Sequence, residues 1–176
     1  KFLVGGTFLA IFSIVLFSGL ERTTASLGGV LLNSNSILVG IFAYILLKEK
    51  VSKNQIIGLT IGVAGVIVIM LPSIMGDGQG TFIGNLLSFL SGVIWAAYSI
   101  LLTAWFSEKE HAIEVIMINL GIASVMLSAY VALTSSFVVS LNLLQIILII
   151  ILGFGSTGLG FSLYLILINR ENVIMA

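Results

Sequence analysis

Six apolar stretches, none with a charged residue in its interior, constrain this chain more than any other feature. They cover about residues 3–20, 25–47, 54–74, 82–105, 113–134 and 143–168. A hydrocarbon core is about 30 Å thick and an α-helix rises about 1.5 Å per residue, so each stretch is long enough to cross one. Lipid offers no water to a free backbone N–H or C=O, so runs of this length must be helices that satisfy their own hydrogen bonds. All seven Lys and Arg, all seven Asp and Glu and the single His111 lie between the stretches or at their edges; Glu114 is one residue into the fifth. The chain reads as an all-α polytopic membrane protein with six transmembrane helices. Its function belongs in the bundle interior.

Composition narrows the classes further. A chain with 59% hydrophobic and 8% charged residues is not an ordinary soluble domain. The net charge of zero says nothing about nucleic acid, and no basic stripe suggests it, so it is not an expected partner. The absence of Cys removes disulfides, thiol chemistry and Cys-ligated metals. The first stretch lacks a basic leader and a small-residue cleavage site, so no cleavable signal peptide is evident. No phosphate-binding loop, nucleophile–base constellation or metal cluster is legible, so neither catalysis nor a cofactor is expected.

Charge placement orients the spans. The connections are short, so the excess of Lys and Arg marks the cytoplasmic side. Lys48, Lys50 and Lys53 make the link after the second span the densest cationic site, and it is placed in the cytoplasm. Alternation then puts Lys1, Lys109 and Arg170 inside and leaves only Arg22 outside, six cations against one. The link with Asp77 falls outside.

Offsetting the chain by 149 residues aligns the first and sixth spans. Gly6 meets Gly155, Phe12-Ser13 meets Phe161-Ser162, Leu16 meets Leu165, and Glu21-Arg22 meets Arg170-Glu171. The identity is weak, and apolar bias alone is the competing explanation. A real repeat of this length holds five spans, and an odd count inverts the second unit across the membrane. Inverted repeats are a transporter architecture with the substrate site near the midplane. The chain starts at Lys1 rather than Met and ends soon after a span, so it is read as an internal fragment of a ten-helix protein. On this reading residues 1–74 hold the last three helices of the first repeat, 75–81 form an extracytoplasmic link, and 82–176 hold the first three helices of the second.

Residues 31–70, LLNSNSILVGIFAYILLKEKVSKNQIIGLTIGVAGVIVIM, combine a small-polar helix start, a long apolar run, a Glu near the helix end and a Gly-rich helix. They resemble the fourth and fifth helices of the EamA-type family of the drug/metabolite transporter superfamily. Residues 84–102, with Trp95 and Tyr98 as Trp-x-x-Tyr, resemble its sixth helix; residues 157–176 resemble its eighth helix and the link that follows. The family often has Pro near the start of the fourth helix, where this chain has Asn35-Ser36, so no role of that Pro carries over. The resemblance implies a secondary transporter in a prokaryotic inner (cytoplasmic) membrane. It would export amino acids, related metabolites or drugs by alternating access. The implied partners are the lipid bilayer, a small-molecule substrate and, in some arrangements, a second copy in a homodimer. A membrane scaffold without transport of its own is the alternative.

Several polar and small residues stand out within the spans, each with a functional and a structural reading. Asn85, Ser88, Ser91, Trp95 and Tyr98 fall on one helical stripe of the fourth span. An unpaired polar group in hydrocarbon is costly, so this stripe faces either a wet cavity or a partner helix. Asn33, Ser34, Asn35 and Ser36 are consecutive and point all round the second span; Asn33, Gly40 and Tyr44 share a face. Thr157, Gly160 and Tyr164 form a similar face in the sixth, after a run with four glycines at 153–160. Asn119 is a further candidate in the fifth. Substrate lining competes with interhelical hydrogen bonding at each of these. Gly58, Gly62 and Gly65 line one face of the third span and read as helix packing, with a hinge as the alternative. His111, Glu110 and Glu114 read as a solvated turn rather than a metal site, and Glu49 as a helix-end residue. No span carries an ionisable core residue of the kind used by proton and sodium relays. Coupling groups therefore lie in further helices, or transport is facilitative, or the substrate carries the proton.

Overall fold

The computed structural model describes residues 1–46, 48, 51–76, 80–105, 112–134, 141–153 and 155, and the regular structure among these is helical. The helices are α1 (Phe2–Leu20), α2 (Ala25–Asn33), α3 (Asn35–Leu46), α4 (Lys53–Met75), α5 (Phe82–Trp105), α6 (Ala112–Thr134) and α7 (Leu143–Ile151). Among the described residues, five spans are long and apolar enough to cross a membrane: Phe2–Leu20, Ala25–Leu46, Lys53–Met75, Phe82–Leu102 and Glu114–Thr134. They coincide with the first five apolar stretches. The sixth is represented by α7, and its remainder beyond residue 155 lies outside the described residues, as do Glu49, Lys50, Asp77, Lys109 and His111.

Helix ends follow local chemistry. Thr24 caps α2, accepting a bond from the Leu27 N–H. Ser52 with Gln55 and Asn142 with Gln145 form reciprocal capping boxes on α4 and α7. Gly76 ends α4 with φ +84°, a left-handed conformation in which Gly carries no Cβ penalty.

The second span is not one continuous helix. It is interrupted at Ser34, whose φ and ψ are −63° and −7°. The Ser34 hydroxyl donates to the Leu31 carbonyl at 2.6 Å, and the Ser34 carbonyl accepts from the N–H of Ile37 and Leu38 at 3.0 and 3.3 Å. Short polar side chains offer the backbone alternatives to the helical ladder. Four in a row from Asn33 to Ser36 supply the break that a proline would otherwise make.

The bundle is organised around α5, which packs against α1, α2, α3 and α4; α1 packs in turn against α6. Gly84, Ser88, Gly92 and Ala96, every fourth residue of α5, are all buried. A Cβ added at Gly84 would lie 2.6 Å from the Arg22 carbonyl, and one at Gly19 would lie 2.8 Å from the Ser88 backbone nitrogen. Small residues let the backbones approach where lipid supplies no hydrophobic drive between helices. The outward faces of α4, α6 and α7 carry exposed Ile, Val, Leu and Met, among them Ile61, Val68, Met117, Val125 and Ile151. That is the surface hydrocarbon requires.

Polar contacts tie the two ends. At one, the Thr81 N–H and hydroxyl both donate to the Arg22 carbonyl, at 2.8 and 3.1 Å. At the other, the Lys1 ammonium donates to the Trp105 carbonyl at 3.2 Å. Arg22 and Thr81 therefore share an end, and the start of α1 meets the finish of α5 opposite, as alternating spans demand.

Candidate functional site

Two buried polar centres lie along α5. Towards the Lys1 end, Tyr98 is 5% exposed and packs with Leu9, Ala10 and Ala123. Its hydroxyl accepts from the Asn119 side-chain amide of α6 at 3.2 Å. Asn119 is 1% exposed, and its Oδ1 is the sole buried side-chain polar atom among the described residues that has no partner. Trp95 borders this group, with its ring centroid 5.0 Å from that of Phe12 and 5.8 Å from that of Tyr98, tilted at 53° and 52°. The spacing of Trp95 and Tyr98 on one α5 face brings the rings together, and α1 supplies Phe12. The result is an aromatic wall with a buried hydroxyl and amide beside it. Such a wall offers rigid apolar area, π faces for a cation, and hydrogen-bonding groups at one edge.

The second centre lies near the opposite end. Asn85 is fully buried; its Oδ1 accepts from the Thr23 hydroxyl in a short contact, and its amide donates to the Ser73 hydroxyl at 2.7 Å. Ser73 donates in turn to the Met70 carbonyl at 2.9 Å. One side chain thus joins α5, the α1–α2 link and the last turn of α4, with both amide atoms satisfied.

Between the centres, Ser88 and Ser91 are fully buried, and each hydroxyl donates to its own helix, to the Gly84 carbonyl at 3.0 Å and the Ser88 carbonyl at 2.6 Å. Ser88 sits against Gly19 and Gly28. The polar residues of the second span are elsewhere. Asn33 is exposed and donates to the Gly29 carbonyl at 2.8 Å; Ser36, also exposed, donates to the Asn35 Oδ1 at 3.2 Å; Tyr44 is 59% exposed. Gly62 faces Ile37, whereas Gly58 and Gly65 have no neighbour within 4 Å of an added Cβ. Thr157, Gly160 and Tyr164 lie outside the described residues.

Residues 2–71, spanning α1 to most of α4, match the model of the EamA-like transporter family. That part of the chain, less than half of it, is similar to the EamA-like transporter family. Its relatives include two Bacillus subtilis proteins named as uncharacterized transporters. YetK is 34% identical over 113 residues, which is 62% of this chain and 33% of YetK; YvbV is 31% identical over 123 residues, 67% of this chain and 39% of YvbV. An uncharacterized transporter of Archaeoglobus fulgidus is 26% identical over 96 residues, covering 54% of this chain and 32% of that protein. The match thus spans less than two thirds of these relatives' length. No solved structure matches the chain.

Within this bundle, sequence reasoning passed over Thr23 and Ser73, the partners of Asn85, and the close-approach glycines Gly5, Gly19, Gly84 and Gly92. For the α5 glycines a signal was present. Small residues at positions 84, 88, 92 and 96 recur every fourth residue, the spacing that brings membrane helices together.

Proposed function

We propose that this chain is part of a secondary transporter that exports small metabolites, amino acids or drugs by alternating access across a prokaryotic inner membrane. The observation that carries this reading is the Trp95–Tyr98–Asn119 group, in which Tyr98 and Asn119 are buried and Trp95 is half-buried. It combines aromatic faces with an unmet hydrogen-bonding atom inside a membrane bundle whose relatives are named transporters. A scaffold needs no such atom, because an apolar residue of similar shape packs there without the desolvation cost. The ten-helix plan, with residues 1–74 and 82–176 from two inverted five-helix repeats, supports a site near the midplane between them. The interrupted second span accords with it, since broken helices border substrate sites in such architectures. Trp95 and Tyr98 supply the ligand-facing aromatic surface, Asn119 its polar edge. The link at 48–53 faces the cytoplasm.

The test is flux in vesicles holding the whole protein that carries this chain. Trp95→Ala and Tyr98→Ala are expected to raise the half-saturation concentration about 2- to 30-fold, since a cation–π or aromatic contact is worth roughly 0.5–2 kcal/mol. Lys53→Ala, on an exposed helix start, is expected to do little. Inserted variants with unchanged half-saturation and rate remove the two aromatics from the site. Absence of any saturable flux in the unmodified protein favours the scaffold.

A further inference from the structure

The two ends of the α1–α5 core differ in how far their buried amides are satisfied. At the Arg22 end every polar side chain of the Asn85 centre has partners: Thr23 and Ser73 meet Asn85, and Thr81 meets Arg22. At the Lys1 end, α1 lies on α6 through glycines. A Cβ at Gly5 would be 2.6 Å from the Asn119 Nδ2 and 2.9 Å from its Oδ1, and one at Gly6 would be 2.5 Å from Ile122. The Asn119 amide is thus pressed against the α1 backbone with its Oδ1 unmet. A buried carbonyl without a donor carries its full desolvation penalty, whereas the same group in water carries none. Parting α1 from α6 at this point would hydrate the Oδ1 and relieve the penalty. No comparable relief awaits the Asn85 centre, which would lose satisfied bonds.

We propose that the α1–α6 seam at Gly5 and Asn119 is the inner gate of the transport path, its closed form held poised to open by the unmet Asn119 carbonyl. The proposal rests on the transporter reading for its purpose, but the motion is measurable without transport. The gate lies at the end carrying Lys1 and the finish of α5, which the distribution of cations places in the cytoplasm. Its moving contact is the flat amide on the glycine. Ala123, 4% exposed within the same α1–α5–α6 cluster, is reachable by water only when the seam parts.

These 176 residues contain no Cys, so Ala123→Cys gives a single reporter in the membrane-embedded protein once any Cys elsewhere in it is replaced by Ser. Its rate of reaction with N-ethylmaleimide reads the open fraction. Two variants move that fraction in opposite directions. Tyr98→Phe with Asn119→Leu removes both partners and the unmet atom while keeping similar shapes. Reaction is expected to slow about tenfold, the shift that relieving one unmet buried hydrogen bond produces. Gly5→Ala wedges α1 from the amide and is expected to speed reaction several-fold. If the Gly5 variant does not accumulate, the double variant decides alone. Unchanged or faster labelling in the double variant, or unchanged labelling in an inserted Gly5→Ala protein, overturns the gate. Loss of saturable flux in the unmodified protein would sink the transporter reading without touching the labelling result.

Discussion

At the scale of single residues, the glycines separate into two kinds. Gly84 and Gly19 are where backbones touch: a Cβ at Gly84 meets backbone atoms of Arg22, which cannot swing aside as a side-chain tip can. Gly58 and Gly65 meet nothing. The first kind is required by geometry, the second only leaves the helix more flexible when unfolded. Gly84→Ala is therefore expected to lower stability by about 1–3 kcal/mol, the usual range for overpacking. Gly58→Ala is expected to be neutral or to gain up to about 0.5–1 kcal/mol, because Ala is the better helix former. Thermal unfolding of this chain in one detergent compares the two. Equal losses at both positions would show that α5 is not the packing axis.

At the scale of elements, α5 and the second span carry the argument. The interruption at Ser34 leaves the Leu31 and Leu32 carbonyls beside Gly92, where an added Cβ would lie 3.4 and 3.1 Å from them. These are contacts at the tight edge of the ordinary range. Gly92→Ala asks the second span to give by a few tenths of an ångström and is expected to cost less than about 1 kcal/mol. Gly92→Val adds two methyl groups at the same point and is expected to cost about 1–3 kcal/mol. Unfolding midpoints of the two variants that differ by nothing would mean the break does not rest on α5. By contrast α4 is held lightly. It meets α3 through Gly62 on Ile37 and Gly40 on Leu59, and α5 through Ser73 on Asn85. The rest of its surface is apolar and exposed, suited to lipid or to further helices.

At the scale of the whole molecule, alternation is built into the contacts, and the side proposed to face the cytoplasm is the one to which the sequence assigns six of the seven cations. Met75, 72% exposed at the end of α4, and Lys53, exposed at its start, mark opposite faces. In intact cells, Cys at position 75 is expected to react with an impermeant maleimide, and Cys at position 53 only after permeabilisation. The reverse pattern inverts the orientation and moves the Asn119 seam to the outer side.

The membrane plan was legible in the sequence because lipid leaves little choice. A charge-free run of about twenty residues must be a helix, and its ends must fall near charges and caps. So the first five stretches match the spans to within about three residues, and the stripe from Asn85 to Tyr98 reads as a face of α5 turned to a wet cavity or a partner helix. Which partner each polar group takes was not legible, because that depends on distances between helices far apart in the chain. Asn85 finds Thr23 and Ser73, while Tyr98 finds Asn119, a choice periodicity alone does not make. Likewise Gly58, Gly62 and Gly65 look alike in sequence, and only the crossing of α3 over α4 gives Gly62 a neighbour that its companions lack. Sequence alone determined where the chain crosses, since hydropathy and backbone hydrogen bonding act locally. Only the tertiary structure decided which small residues let helices touch and which buried amide was left unmet, since these depend on how the helices fit together.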